Sequence, residues 1–262
     1  QAQRLDRQRL LQQLQLEPVH QVLDLDAGWG TRALFLAEET GVQVTAFARS
    51  MRQFEYLRHE ARRRGLERLV HVRSGSFLQC RGLFDRVLAG DFLHHRRATE
   101  PRLALQHLAG LLRDDGFLWL GFPGRSHDVR LSNHWYRRQL ATRGELPLLS
   151  RLSRALESTS LKPLLIEERS SHRLRTLQER ARRFHRHRSA ISRRFGETNT
   201  RHWEFLLASE STALQWGQLN YYEMLLGNPR CAWPAAGHDN SSWVHDLPAE
   251  LVNAIPGLAR DI

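Results

Sequence analysis

Between Pro18 and Gly124 the chain alternates short apolar runs with charged or amphipathic stretches, and no other feature constrains its fold as tightly. The segments "HQVLDLD", "VQVTAFA", "LVHVRSG", "FDRVLAGDFL" and "GFLWLGF" read as five strands. Between them, "TRALFLAEET", residues 51–64 and "PRLALQHLAGLLRDD" read as helices. Leucines at helical spacing over 3–16 predict an opening helix that Pro18 ends, and Gly41 stops the first crossover helix. Strands and helices alternating at this spacing imply right-handed βαβ units and an α/β fold with a mostly parallel, doubly wound sheet. Ligands of such sheets lie beyond the carboxyl ends of the strands. The glycine turn after the first strand, "DAGWGT", is therefore the first place to look for a site.

Past residue 125 the pattern changes. "SRLSRALESTSL" predicts a helix and "KPLLIEERSSH" a strand. "RTLQERARRFHRHRSAISRRF" and "NTRHWEFLLASESTALQWG" predict two more helices. "QLNYYEMLL" is either a last strand or an aromatic-rich buried segment. The expected organisation is a core over 1–124, an insertion with C-terminal helices over 125–229 completing the same domain, and a polar extension over 230–262.

Charge narrows the partners. The 262 residues carry a formal charge of +11, and Lys162 is the single lysine among 39 basic residues. Runs such as "ARRRG" and "RARRFHRHR" suit a polyanion, because guanidinium forks match phosphate, whether in a membrane or a nucleic acid. The competing reading is a set of solvated helix faces. No run nears the roughly 18 apolar residues that cross a bilayer, and no signal-peptide pattern opens the chain. Two cysteines, Cys80 and Cys231, make no disulfide framework, so the expected location is the cytoplasm, with contact at the inner membrane face open to it. A start at Gln1 leads us to expect a fragment or processed form. The 14 histidines show no metal-ligand spacing, so no metal is expected.

These segments resemble the cyclopropane-fatty-acyl-phospholipid and mycolic acid cyclopropane synthases, a family of Rossmann-like class I S-adenosylmethionine (SAM) methyltransferases. "VLDLDAGWG" resembles the family's "VLDIGCGWG", with its tryptophan between two glycines. "SMRQFEYLRHEARRRGLERLV" resembles the helix after its second strand, and "FDRVLAGDFLHH" resembles "FDRIVSIEMFEH". "RGELP", "RFGE", "RHWEFLL" and "LLGNP" follow in family order, so the likeness runs over about residues 1–229. The family's preceding N-terminal segment has no counterpart in this sequence. The resemblance implies SAM as cofactor, held by Asp24, Gly28, Trp29, Gly30, Ser50 and Gln53.

The departures from the family pattern are as informative. Asp26 stands at the loop's first glycine, Ala48 replaces a threonine, and Gly75 replaces an adenine-side aspartate, which weakens the SAM site. An uncompensated carboxylate ~4 Å from the cofactor's own would cost about 4 kcal/mol at an effective dielectric near 20. Arg32 is the neighbour expected to offset it. By resemblance, a bound bicarbonate collects the proton released in cyclopropanation. The positions that would hold it read Ala27, His94, Gly121 and Leu206, so bicarbonate and ring formation are not expected. A nitrogen or oxygen acceptor needs only a base, and the candidates are Asp91, His94, His95 and Glu210. The expected acceptor is a lipid or other hydrophobic molecule. Two alternatives stay open: a catalytically silent lipid- or partner-binding relative, and a nucleic-acid methyltransferase. Trp203, Phe205 and Trp216 are expected to serve packing or a pocket wall.

Overall fold

A computed structural model describes residues 2–75, 80–90, 101–128, 133–141 and 146–231. In chain order the elements are α1 (Ala2–Leu14), β1 (Gln21–Asp24), α2 (Thr31–Thr40), β2 (Gln43–Ala48), α3 (Met51–Arg63) and β3 (Val70–Ser74). β4 (Phe84–Gly90), α4 (Pro101–Ala109), β5 (Leu112–Gly124), α5 (His134–Ala141) and α6 (Leu149–Leu156) follow. The last are β6 (Lys162–Glu168), α7 (Ser170–Arg186), α8 (Arg188–Phe195), α9 (Glu197–Gln215) and β7 (Asn220–Gly227). The seven strands form one sheet in the order β3-β2-β1-β4-β5-β7-β6. β1 to β5 pair in parallel, while β7 runs antiparallel between β5 and β6. The strand order reverses at β1, where neighbouring crossovers leave in opposite directions and open a crevice.

Strand register divides the sheet into two faces. Leu23 pairs with Val87 and Val87 with Leu118, placing their side chains together. That face packs on Leu105 and Leu108 of α4 and Leu152 and Leu156 of α6, all in one buried apolar cluster. Alternation sends Asp24, Leu88 and Trp119 to the other face, with Gly121 and its partner Glu223. There Arg9 of α1 forms ion pairs with Glu223 and Glu167, while Gln13 donates to Glu167 at 3.0 Å. Burial pushes the Glu223 carboxyl above its ordinary range, and Arg9 opposes that shift. The end of α1 is tied down by Arg86, whose guanidinium donates to the carbonyls of Leu14 and Gln15 and stacks on Phe117.

Three expectations change. α4 ends at Ala109 and β5 begins at Leu112, so "LRDD" (112–115) belongs to a strand rather than to the helix. Its polar residues are the exposed start of β5, and Leu112 is already aligned with Phe84. The arginine-rich helix breaks at His187 into α7 and α8 without glycine or proline. Arg188, the first residue of α8, donates to Glu204 at 2.8 Å and to Glu197 at 2.6 Å, which fastens the break to α9. Trp203, Phe205 and Trp216 do not enter the core: they are 50%, 47% and 73% exposed. "QLNYYEMLL" resolves as a strand, β7.

Candidate functional site

The crevice beyond β1 is built by backbone conformations that glycine permits. Gly28 has φ 55° with nothing within 4 Å of where a Cβ would sit, so an open cradle faces that position. Gly30 has φ 80° and lies so close to Leu57 of α3 that any side chain would collide with it. Between them Trp29 is 52% exposed and meets the Tyr56 ring edge-on at 5.2 Å. Asp24, at the end of β1, is fully buried. Its Oδ1 accepts the Asp26 amide at 3.2 Å, and its Oδ2 has no partner among the described residues. Burial raises the Asp24 carboxyl above its ordinary value, with Arg32 opposing and Asp26 adding to the rise.

Asp26 is neutralised, but by a different arginine from the one expected. Its carboxylate forms an ion pair with Arg49, which follows β2, so one bridge joins the β1 and β2 loops. Arg32 instead donates to the Asp26 carbonyl at 3.3 Å, lies 3.8 Å from the Asp24 carboxylate and stacks on Trp119 at 5.1 Å. It fits there because Gly90 has no side chain: a Cβ at that position would be 2.5 Å from the guanidinium. Ser50 caps α3, and Gln53 reaches back to the residue before the cap. The Ser50 hydroxyl accepts the Gln53 amide at 3.2 Å, and the Gln53 side chain accepts the Arg49 amide at 3.2 Å. Asp24, Gly28, Trp29, Gly30, Ser50 and Gln53 are thus gathered on one edge. Arg49 is the residue that sequence reasoning missed there, because its partner lies in another loop.

On the acceptor side, Asp91, His94 and His95 lie outside the described residues. Glu210, on α9, is engaged by Arg173 of α7, which donates through Nε at 3.1 Å and Nη2 at 2.9 Å. Arg173 also stacks on Tyr221 at 5.3 Å. The other positions that would have held bicarbonate carry no polar side chain. Ala27 is buried, and Leu206 packs with Tyr136, Leu146, Leu177 and Leu214. At Gly121 the space is refilled: a Cβ there would meet Trp119 Cη2 at 2.6 Å and the Tyr221 hydroxyl at 2.9 Å. The buried Trp119 indole N–H has no partner among the described residues. Tyr221, expected from the sequence to be core or pocket wall, reaches Gly121 through the pairing of β5 with β7, whereas Trp119, two residues away on the same strand and face, went unremarked as a site residue. Cys80 is buried and its thiol is pushed up by that burial. Among the described residues no three His, Cys, Asp or Glu side chains gather as metal ligands, and no helix is long and apolar enough to cross a membrane.

With this geometry fixed, known proteins give it a family. Residues 1–224 match the model of the family described as mycolic acid cyclopropane synthetase. The chain belongs to that family. Family membership explains why the strand order and the glycine turn survive together. A protein named "Probable fatty acid methyltransferase" from Pseudomonas putida is 25% identical over 244 residues, which are 90% of this chain and 61% of that protein. The sphingolipid C9-methyltransferase of Komagataella phaffii is 22% identical, matching 87% of this chain and 50% of its own length. The chain therefore spans only about half to three fifths of these curated relatives. Among solved structures, the cyclopropane synthase MmaA2 from Mycobacterium tuberculosis superposes with a TM-score of 0.80 at 17% identity, over 86% of this chain and 84% of its own. The mycolic acid cyclopropane synthase CmaA1, complexed with SAH and CTAB, gives 0.79 at 17% identity, over 86% and 84%. These likenesses establish a class I SAM-methyltransferase fold.

Proposed function

We propose that this chain carries out SAM-dependent methyl transfer to a lipid or other hydrophobic acceptor without closing a cyclopropane ring. The observation that carries the reading is the Asp26–Arg49 ion pair. It cancels the one charge that would have repelled the cofactor's carboxylate, beside an open left-handed cradle at Gly28. Asp24, Gly28, Trp29 and Gly30 are the groups we assign to holding SAM, which supplies an activated methyl on sulfur. Ser50 and Gln53 shape the edge through their cap.

An amine or hydroxyl acceptor must release a proton as it is methylated. Asp91, His94 and His95, which follow β4 in the sequence, are our candidates to take it. Glu210 has a different task in this reading: it fixes Arg173 against Tyr221. Bicarbonate has no assigned place, since positions 27, 121 and 206 bring no hydrogen-bonding side chain. Relatives named for fatty acid and sphingolipid methylation support a lipid acceptor. We place the protein in the cytoplasm, working at the inner face of the membrane. The test is incubation of the chain with SAM and extracted lipids, followed by mass spectrometry. Methylated lipid without ring formation, abolished by His95→Ala, is expected. Cyclopropane product would contradict the reading.

The same ion pair favours a second reading. It bridges the two loops between which a cofactor would lie, while the Ser50 hydroxyl and the Gln53 side-chain oxygen are engaged by the backbone amides of Gln53 and Arg49. A silent lipid- or partner-binding relative would show no SAM consumption with any acceptor.

A further inference from the structure

About half of the described arginines are ion-paired, among them several of the surface runs. On α3, Arg63 and Arg64 are held by Glu60 and Glu38; on α7, Arg182, Arg183 and Arg186 surround Glu179; Arg188 is shared by Glu197 and Glu204. Arg58, Arg62 and Arg73 differ. Among the described residues none of the three pairs with a carboxylate, and all line one groove of about 280 Å³ between α3 and β3, with His71 and Glu67 beside them. Arg58 and Arg62 stand one helical turn apart, so they share a face, and Arg73 comes from β3 at the edge of the sheet. Ala61, Val70 and Val72 form the groove's apolar part. Folding has thus gathered three guanidinium groups without a carboxylate partner among the described residues around one concavity, Arg58 lying over the Phe54 ring at 5.8 Å, on a chain of formal charge +11.

We propose that this groove binds the phosphate of an anionic phospholipid headgroup and docks the α3–β3 edge on a membrane. Guanidinium forks match phosphate oxygens in pairs, and unpaired arginines give up no internal ion pair on binding. The valine and alanine side chains suit the glycerol and first acyl carbons. His71 is the single aromatic ring in the groove's lining, with no Phe, Tyr or Trp, so it lacks the row of rings on which successive bases of single-stranded nucleic acid stack. Only the preference for a membrane over nucleic acid rests on the lipid-acceptor reading.

The test compares the full chain with Arg58→Gln/Arg62→Gln/Arg73→Gln and with a control, Arg182→Gln/Arg183→Gln/Arg186→Gln, which removes the same charge from α7. Binding to phosphatidylcholine vesicles with and without phosphatidylglycerol is measured by flotation. S-adenosylhomocysteine (SAH) affinity is measured alongside. The expected result is binding only with phosphatidylglycerol, weakened roughly a hundredfold in the groove variant and less than about threefold in the control. SAH affinity stays unchanged in both. Equal losses in the two variants would reduce the effect to net charge and overturn the proposal. Tighter binding to single-stranded RNA than to vesicles would overturn it in favour of nucleic acid. Binding of glycerol phosphate without vesicle binding would show a site for free phosphate esters and also overturn it. Failure to bind SAH alone would count against the methyltransferase reading and leave the groove standing.

Discussion

The edge after β1 and the floor around Gly121 both depart from the family pattern, yet they were refilled by different physics. At the edge, a foreign charge is answered by a charge: Asp26 meets Arg49, and the loop geometry at Gly28 and Gly30 is kept. At the floor, polar positions gave way to packing. Leu206 joins an apolar cluster, and Trp119 with Tyr221 fills the space above Gly121. A balanced substitution preserves a binding function, whereas a packed one preserves only the fold. In the proposed reading the donor side accordingly keeps its capability and the acceptor side changes its chemistry.

Four substitutions can break or sharpen that contrast. The largest effect is expected from Leu206→Ala, which empties part of a buried cluster and costs about 2–4 kcal/mol in chemical denaturation. SAH affinity is expected to stay within about threefold, since the apolar cluster that holds Leu206 contains none of the residues of the β1 edge. A matched loss of affinity would show that they are not separate. Next comes Arg49→Leu, which exposes the Asp26 charge and weakens SAH binding by roughly tenfold to a hundredfold. Adding Asp26→Gly restores most of the loss, and a double variant as poor as the single one would sink the charge-balance account. Ser50→Ala removes the cap of α3 and is worth about 1 kcal/mol of stability. If it lowered SAH affinity without touching stability, Ser50 would be a ligand rather than a cap.

The subtlest is Asp24→Asn. Because burial raises the Asp24 carboxyl, its neutral form is favoured in the folded state. Its contribution is fully present below the ordinary value of 3.8 and is lost as pH rises through the higher folded value. The wild type therefore falls behind the asparagine variant as pH climbs across that window. Parallel curves of urea midpoint against pH would refute the assigned cause.

Local signals made the scaffold readable. Apolar runs gave β1 to β5, Gly41 in a left-handed conformation ends α2, and "SMRQ" encodes the N-cap of α3. Failures came where distant residues decide. Nothing in "FHRHRSA" announces a helix break, because the tether is Arg188 reaching Glu197 and Glu204 on α9. Arg49 looked like one more surface arginine until folding set it against Asp26. Trp203 and Trp216 look like core residues by type, yet stand half exposed or more, a property set by what packs beside them. The candidate site residues after β4, Asp91, His94 and His95, lie outside the described residues.

The central claim is that the cofactor edge was rewired and not destroyed. Isothermal titration of the full chain with SAH tests it most directly. The account predicts saturable binding in the micromolar range that Arg49→Leu weakens. Absence of heat up to millimolar SAH would contradict it.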